Sequence, residues 1–477
     1  MSALRLAALA FGLTLPVWSA LSGCSQSDLA GSDLPSKAGA SGQSSAGAAN
    51  SGGGASGATP GGAAGAPSGG AGGANGGSSP AGGAGNGGAG GRLDTAGTAG
   101  IAGSIGGGSS GGGGAGGSSP SACPVISDFA NWTSGKGPLD VGKLAVTDFK
   151  AHSNDAYDYP VVLTWSSALR FTASTADSAN NTALSSAWGS SKVKSSPPPN
   201  PTGKGSVDER VFGVLPLELY LQNHDQSLED LGLSRADTQW LPPLNQDMIT
   251  TDARYWSDDM FMITELQVMA YRATKKSDYL DHASTALLIY VKKLRQNALF
   301  WHTLDSKPAW GRANGWFATG MSELLLELPA GQTRDSVLAA YKTHMDGILP
   351  LQVSGGDDDG CWRQVLDLAS APIETSCTAM FTTALATGLK NGWLTEPKYA
   401  AAARKGWQCV ANKTNSAGKL DRTCPGTGAA TTGDSLAKQQ QFYVERMSHV
   451  QLGDLHGQLA LLGAANALVR TDCPGVH

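Results

Sequence analysis

Trp256-Ser257-Asp258-Asp259-Met260-Phe261-Met262 opens the stretch on which the fold turns. Behind it Phe261, Thr264, Leu266, Met269 and Ala270 recur at three-and-four spacing, the period of one helix face. The next segment repeats the pattern with Leu280, Ala283, Leu287, Val291 and Leu294, and Leu324, Leu325 and Leu328 continue it. Further helical stretches are predicted over 141–151, 158–173, 208–222, 335–352, 376–390, 397–412 and 455–470, separated by breakers such as Pro329, Pro372, Pro397 and Gly355-Gly356. Strand-like alternation is scarce. Eleven or twelve helices in succession predict an all-α fold of helical hairpins, and six hairpins closing on themselves give an (α/α)6 barrel. A TPR or HEAT solenoid is the competing architecture, but no fixed-period consensus recurs along the chain.

The stretches outside this pattern set the organisation of the 477-residue chain. Arg5 followed by an apolar run from Leu6 to Leu21 reads as an export signal, too short for a spanning helix. It ends in Leu21-Ser22-Gly23-Cys24, which resembles a bacterial lipobox and marks Cys24 as the lipidation site. The expected location is therefore the bacterial cell envelope, outer membrane or surface, with a lipid anchor as the link to the membrane. Residues 25–122 are Gly, Ala and Ser with scattered Pro. Such a composition buries too little apolar surface to offset ordering entropy, so a disordered tether with an r.m.s. span of about 55 Å is expected. Residues 123–477 remain for one catalytic-sized domain. A net charge of −5 and the lack of a basic cluster argue against a nucleic-acid partner.

Apart from Cys24, the cysteines are Cys123, Cys361, Cys377, Cys409, Cys424 and Cys473. Their spacing matches no zinc pattern, and an even number in an exported chain argues for disulfides. Fifteen pairings exist; the expected set is Cys409–Cys424, Cys361–Cys377 and Cys123–Cys473, with buried free thiols as the alternative.

Two strings carry the chemistry. Adjacent helical residues point about 100° apart, so only one of Asp258 and Asp259 can face a given cleft. Beside Tyr255, Trp256 and Met260-Phe261-Met262, a carboxyl in a partly dry site can hold its proton near neutral pH. The bland alternative makes both aspartates first-turn acids favoured by the helix dipole. The second string is Trp310-Gly311-Arg312-Ala313-Asn314-Gly315-Trp316. Its glycines permit close backbone approach, Asn314 can orient a water or hydroxyl, and Arg312 offers a planar fork suited to a carboxylate.

With Gly360-Cys361-Trp362-Arg363-Gln364-Val365-Leu366-Asp367 and Glu374-Thr375-Ser376-Cys377-Thr378-Ala379-Met380-Phe381, these strings resemble successive blocks of glycoside hydrolase families 88 and 105, the unsaturated glucuronyl and rhamnogalacturonyl hydrolases. The resemblance spans roughly 205–470 and is weak before Gly205. It implies an (α/α)6 barrel that needs no metal or organic cofactor. The substrates would be lyase-made oligosaccharides whose non-reducing uronate carries a C4=C5 double bond, with pectin as the expected source. The implied reaction protonates C4 of the enol ether, adds water at C5 and lets the resulting hemiketal open.

By the same resemblance Asp258 is the general acid/base and Asp208, in Val207-Asp208-Glu209-Arg210, the second aspartate, whose charge would help keep Asp258 protonated. His302 would lie near the sugar, Trp256, Trp310 and Trp316 would stack on it, Arg312 would contact the uronate or a hydroxyl, and Gln364 with Trp362 would line the cleft. Glu374-Thr375 reads as a helix start with Thr375 as its cap, and His456 sits in a family-like C-terminal block. One departure stands out: where the rhamnogalacturonyl enzymes carry a His-Lys-like pair, this chain has Asp252-Ala253-Arg254, with Arg254 as the substitute cation. An α-mannanase-like toroid using both aspartates, and a surface sugar-binding lipoprotein without chemistry, are the rival readings.

Overall fold

The computed structural model describes residues 124–152, 158–194 and 205–471. Cys24, the tether, and the Cys123–Cys473 pairing lie outside the described residues. Fourteen α-helices are present among them: α1 Pro138–His152, α2 Tyr159–Ser174, α3 Ser178–Ala187, α4 Val207–Arg210, α5 Val214–Asn223, α6 Gln226–Gln239, α7 Ser257–Thr274, α8 Ser277–Leu294, α9 Gly311–Leu325, α10 Gln332–Ile348, α11 Thr375–Lys390, α12 Pro397–Lys413, α13 Leu436–Arg446 and α14 Leu455–Val469. Two short antiparallel ribbons join them, β1 Arg295–Gln296 with β2 Leu299–Phe300, and β3 Trp362–Arg363 with β4 Ile373–Glu374.

Which helices lie inside follows from how much of each circumference is apolar. In α7 every residue from Met260 to Ala270 is buried, so the helix has no solvent face. In α8 burial is confined to a stripe through Tyr279, Leu280, Ala283, Leu287, Tyr290, Val291 and Leu294, which marks an outer helix. The inner helices pack in the order α2–α5–α7–α9–α11–α14, and α14 returns to α2, closing the ring. The outer helices α1, α3, α6, α8, α10 and α12 alternate with them along the chain. The result is a six-hairpin toroid with two extra helices, α4 and α13, in its loops.

The sequence pattern predicted one helix over 208–222, whereas the chain breaks at Val211–Gly213 into α4 and α5. Helices α3, α6 and α13 were not expected. Their sequences are polar, and α6 carries Gly232 against Leu217 and the Gly213 carbonyl, a close approach that a side chain would block.

Connections from an inner helix to the next outer one are short, as at His224-Asp225 and Lys275-Lys276. Four of the connections from outer to inner are long: 240–256, 295–310, 349–374 and 414–454. All inner helices therefore start at one rim, which holds the long loops. Bridges Trp256↔Thr303 and Trp310↔Val365 stitch these loops to one another. The other rim is closed by a partly buried ion network in which Arg170 pairs with Glu218 and Glu265, each at 2.7 Å, and Arg272 with Glu323 at 3.0 Å and Glu327 at 2.8 Å.

The expected pairings Cys361–Cys377 and Cys409–Cys424 are corrected by a Cys361–Cys409 disulfide. Cys377 and Cys424 are buried free thiols. The bond ties the β3 loop to α12 across 48 residues, so loop-closure entropy assigns it about 4 kcal/mol. Without reductant, denatured protein should alkylate at Cys377 and Cys424 but not at Cys361 or Cys409; mass spectrometry showing the reverse would contradict this pairing.

Candidate active site

The N-terminal rim gathers the ends of α2, α5, α7, α9, α11 and α14, with N-caps at Asp158, Trp256, Trp310, Glu374 and Asp454 among them. Helix N-termini carry partial positive charge and free N–H groups, so this rim favours an anionic ligand.

Asp258 and Asp259 separate as their helical angle requires. Asp258 faces the axis with its side chain 13% exposed. Its Oδ1 accepts from Trp316 Nε1 at 3.1 Å and its Oδ2 from the Ser257 hydroxyl at 3.0 Å. His302 Nε2 stands 3.3 Å from Oδ2, at ion-pair distance but off the hydrogen-bonding line. Burial pushes this carboxyl up, but His302 at ion-pair distance, followed by the Arg312 charge, outweighs it and holds Asp258 at about 2. The expectation that Asp258 keeps its proton near neutral pH is thus corrected for the free protein: it is a carboxylate at rest.

Asp259 is fully buried and turned away from the axis. It accepts from Arg254 N at 2.6 Å, Arg254 Nε at 2.8 Å and Nη2 at 2.6 Å, from Trp256 N at 3.3 Å and from Tyr290 OH at 3.2 Å. The contact to Trp256 N is the backward arm of a capping box. Burial pushes Asp259 up to about 6 against the pull of Arg254. The guanidinium stays charged, so at neutral pH this is an ion pair. A mechanism in which both aspartates touch substrate does not fit this geometry.

Arg254 has its fork filled on the other side as well. Nη1 and Nη2 donate to Asp208 at 3.0 and 3.1 Å, and the guanidinium lies over Trp256 at 5.1 Å. Asp208 is therefore neutralised by Arg254 rather than left as a free negative charge that would raise Asp258. The expectation of Arg254 as a free cation for the sugar is corrected in the same way: it is the strut between α4 and α7.

Arg312 also differs from expectation. Its Nη1 donates to the Cys424 carbonyl and its Nη2 to the Pro425 carbonyl, the latter at 2.8 Å, and the plane lies 4.7 Å from the Trp310 ring. The fork clamps the loop before α13 instead of opening into the cleft. Only Nε is buried without a partner. Asn314 is spent on Phe300 N, Phe300 O and Trp310 O, holding β2 to α9 rather than orienting a water. Gln364 donates to Cys424 Sγ and to Tyr443 O, each at 3.0 Å, which ties that loop to α13 and leaves Oε1 unpartnered. Trp362 is buried against Phe381 and donates to Ile348 O, away from the cleft.

Of the three tryptophans, Trp256 alone keeps partial exposure; Trp310 and Trp316 are buried. Trp310 stacks on Tyr443 at 5.6 Å, and Trp316 lies tilted against Phe261 at 4.6 Å. Gly311 and Gly315 provide the close approach expected of them: a Cβ at Gly315 would sit 2.5 Å from Met380 Sδ, and one at Gly311 2.7 Å from Arg363 O. The cap of α11 is Glu374, which accepts from Ser376 N and Cys377 N, not Thr375.

Sequence reasoning missed Tyr443, whose OH lies 2.6 Å from His302 Nδ1 and 2.7 Å from Ser306 Oγ. It sits in Gln439-Gln440-Gln441-Phe442-Tyr443, a polar stretch with no signal of a site. It also gave no role to Tyr159, although Asp158-Tyr159-Pro160 is a legible helix start.

The chain thus closes six hairpins into a ring with a carboxylate, an imidazole and indoles at its N-terminal rim, a six-hairpin toroid. The family model of Glycosyl Hydrolase Family 88 matches residues 140–471, and the chain belongs to that family. Similar curated proteins include the unsaturated 3S-rhamnoglycuronyl hydrolase of Alteromonas sp. (strain LOR), 28% identical over 181 residues, which are 35% of this chain and 43% of that protein. The unsaturated rhamnogalacturonyl hydrolase YesR of Bacillus subtilis is 22% identical over 182 residues, 36% of this chain and 50% of the relative. The chain thus spans about half the length of the curated relatives it matches. Among solved structures, a possible member of the GH105 family from Klebsiella pneumoniae superposes with a TM-score of 0.59 at 14% identity, covering 71% of this chain and 94% of that one. A family 88 glycosyl hydrolase from Bacteroides vulgatus gives 0.52 at 18% identity, covering 69% and 99%. At these identities the structural likeness speaks for the fold.

Proposed function

We propose that this glycoside hydrolase releases the 4,5-unsaturated uronic acid from the non-reducing end of lyase-generated oligosaccharides, with unsaturated rhamnogalacturonan as the leading substrate class. The observation that carries the reading is Asp258: one carboxylate facing the axis on an inner-helix N-terminus, braced by Trp316 and paired with His302. Asp258 is ionised at rest, so a proton must reach it before C4 can be protonated. The uronate of an incoming substrate adds a like charge and removes water, and both raise a carboxylate's affinity for its proton. His302 Nε2, 3.3 Å away, is placed to hand that proton over, and Tyr443 fixes the far side of the imidazole. Protonated Asp258 then delivers to C4 while water adds at C5, and the hemiketal opens to release the saccharide. Asp208, held by Arg254, sets the wall formed by α4 and Trp256, and Trp256 offers its partly exposed ring to the sugar. Incubation with lyase-digested rhamnogalacturonan, lyase-digested glycosaminoglycan and their saturated counterparts tests the reading: the enol-ether ultraviolet band should fade with an unsaturated substrate, and hydrolysis of the saturated chains alone would sink it.

The lipobox-like Leu21-Ser22-Gly23-Cys24 and the Gly-rich stretch after it support a lipid-anchored enzyme working from the cell envelope on a long tether. Replacement Cys24→Ala should move the protein from the detergent phase to the aqueous phase on partitioning; an unchanged distribution would remove the anchor from the account.

A further inference from the structure

On the rim, outside the Asp258–His302 pair, stands a second chain of proton-handling groups. Tyr159, the first residue of α2, places its OH 2.8 Å from His456 Nε2. His456, near the start of α14, places Nδ1 2.8 Å from Asp454 Oδ1, and the same carboxylate accepts from the His456 backbone N–H at 2.9 Å. The Tyr159 and His456 rings meet edge-on at 5.5 Å. A carboxylate only accepts, so Nδ1 carries hydrogen, Nε2 of the neutral ring is an acceptor, and the phenol donates to it. The lone pairs of Tyr159 Oη remain for the cleft.

The Tyr159 end of this chain lies within electrostatic reach of Asp258 and Arg312, while His456 and Asp454 also line a surface pocket with Asp158, Val161 and Gln451. The small central cavity of the toroid is lined by Leu163 of α2, Phe261 and Trp316 beside Asp258, and Leu459 of α14. Tyr159, Asp258 and His456 sit four, three and three residues before Leu163, Phe261 and Leu459 on the same helices, so they occupy the same faces one turn nearer the rim. Burial and then the Asp258 charge push the Tyr159 phenol up, so it does not act as a free phenolate. Any proton it accepts must be matched by one it gives away.

We propose that Tyr159, backed by His456 and Asp454, takes the proton of the water that adds at C5. The proposal rests on the function given above. The water oxygen bonds to C5 while its proton passes to Tyr159 Oη and the phenol proton passes to His456 Nε2, leaving an imidazolium opposite Asp454. In the same event the C4=C5 electron pair takes the proton of Asp258 and becomes the C4–H bond. The proton gained by His456 equals the one lost by Asp258, and solvent exchange resets both as the hemiketal opens. Tyr159 is thus a catalytic residue, and His456 and Asp454 are positioning residues acting through it.

The test is steady-state kinetics of the full chain on an unsaturated uronide, with wild type and Asp258→Asn as references. Tyr159→Phe keeps the ring against His456 and loses only the hydroxyl, and Asp454→Asn keeps a side chain able to cap α14. Tyr159→Phe and His456→Gln should each lower kcat about 100-fold with KM within about threefold, and Asp454→Asn should lower it at least about tenfold. Groups acting as one relay do not multiply their losses, so Tyr159→Phe combined with either partner variant should be no slower than Tyr159→Phe alone. A Tyr159→Phe enzyme with unchanged kcat, or losses that multiply in the double variants, overturns the relay. Wild type inert on every unsaturated uronide overturns the function itself, whereas wild-type turnover with full activity in all three variants overturns the relay alone.

Discussion

Asp258→Asn is expected to lower kcat by at least about 1,000-fold while KM stays within a few-fold, because an amide keeps the hydrogen bond from Trp316 but cannot pass a proton to C4. The substitution also has a signature in stability. The folded-state pKa of Asp258 is depressed, to about 2, from an unfolded value near 4. A depressed carboxylate contributes stability that is present above the unfolded pKa and lost as pH falls through the folded one. Wild type should therefore lose about 2 kcal/mol between pH ~4 and pH ~2 that the Asn variant never has. Urea unfolding of both proteins across that range checks it; parallel curves would show that Asp258 is not the charged partner of His302 described above.

Asp259→Asn is expected to do the opposite, with stability as the main casualty. It leaves the Arg254 guanidinium, charged and half-sheltered, with Asp208 alone, and converts one of the two acceptor oxygens into a donor facing Arg254 N or Nε. Stranding a fully buried charge costs about 3–5 kcal/mol, and Arg254, partly open to solvent and still paired with Asp208, brings the loss here to about 2 kcal/mol. Thermal denaturation should reveal that loss, and the fraction that remains folded should keep a kcat within about tenfold of wild type. If Asp259→Asn were as stable as wild type but inactive, the roles of the two aspartates would have to be exchanged. A compensating Asp259→Leu with Arg254→Met replaces the pair by apolar groups and should recover part of the stability, since removing both charges avoids the stranded one.

These two outcomes show where the sequence was legible. That α7 is an inner helix was readable, because Met260 through Ala270 leaves no polar face. That Asp258 and Asp259 cannot both face the cleft was readable from helical angle alone. Their protonation was not, since it depends on His302 and Arg254, brought in by separate loops. Arg312 and Arg254 read as free cations because a sequence gives the side-chain type and not what fills its fork; the carbonyls of Cys424 and Pro425 lie more than a hundred residues away. The Cys361–Cys409 bond was hidden for the same reason, since short spacing favoured Cys409–Cys424 while the fold places the β3 loop against α12. Helices α3, α6 and α13 carry few apolar residues and are held by packing on the ring, so their periodicity was too weak to read. Tyr443 went unseen with α13, and its stacking on Trp310 makes that helix part of the site wall.

The central claim is that one carboxylate on α7 drives hydration of an unsaturated uronide. Its most direct test follows the ultraviolet absorbance of an unsaturated rhamnogalacturonan disaccharide with wild type, Asp258→Asn and Asp259→Asn side by side. The account predicts loss of the enol-ether band with wild type and with folded Asp259→Asn, and a flat trace with Asp258→Asn. A band that fades at the wild-type rate with Asp258→Asn would contradict it.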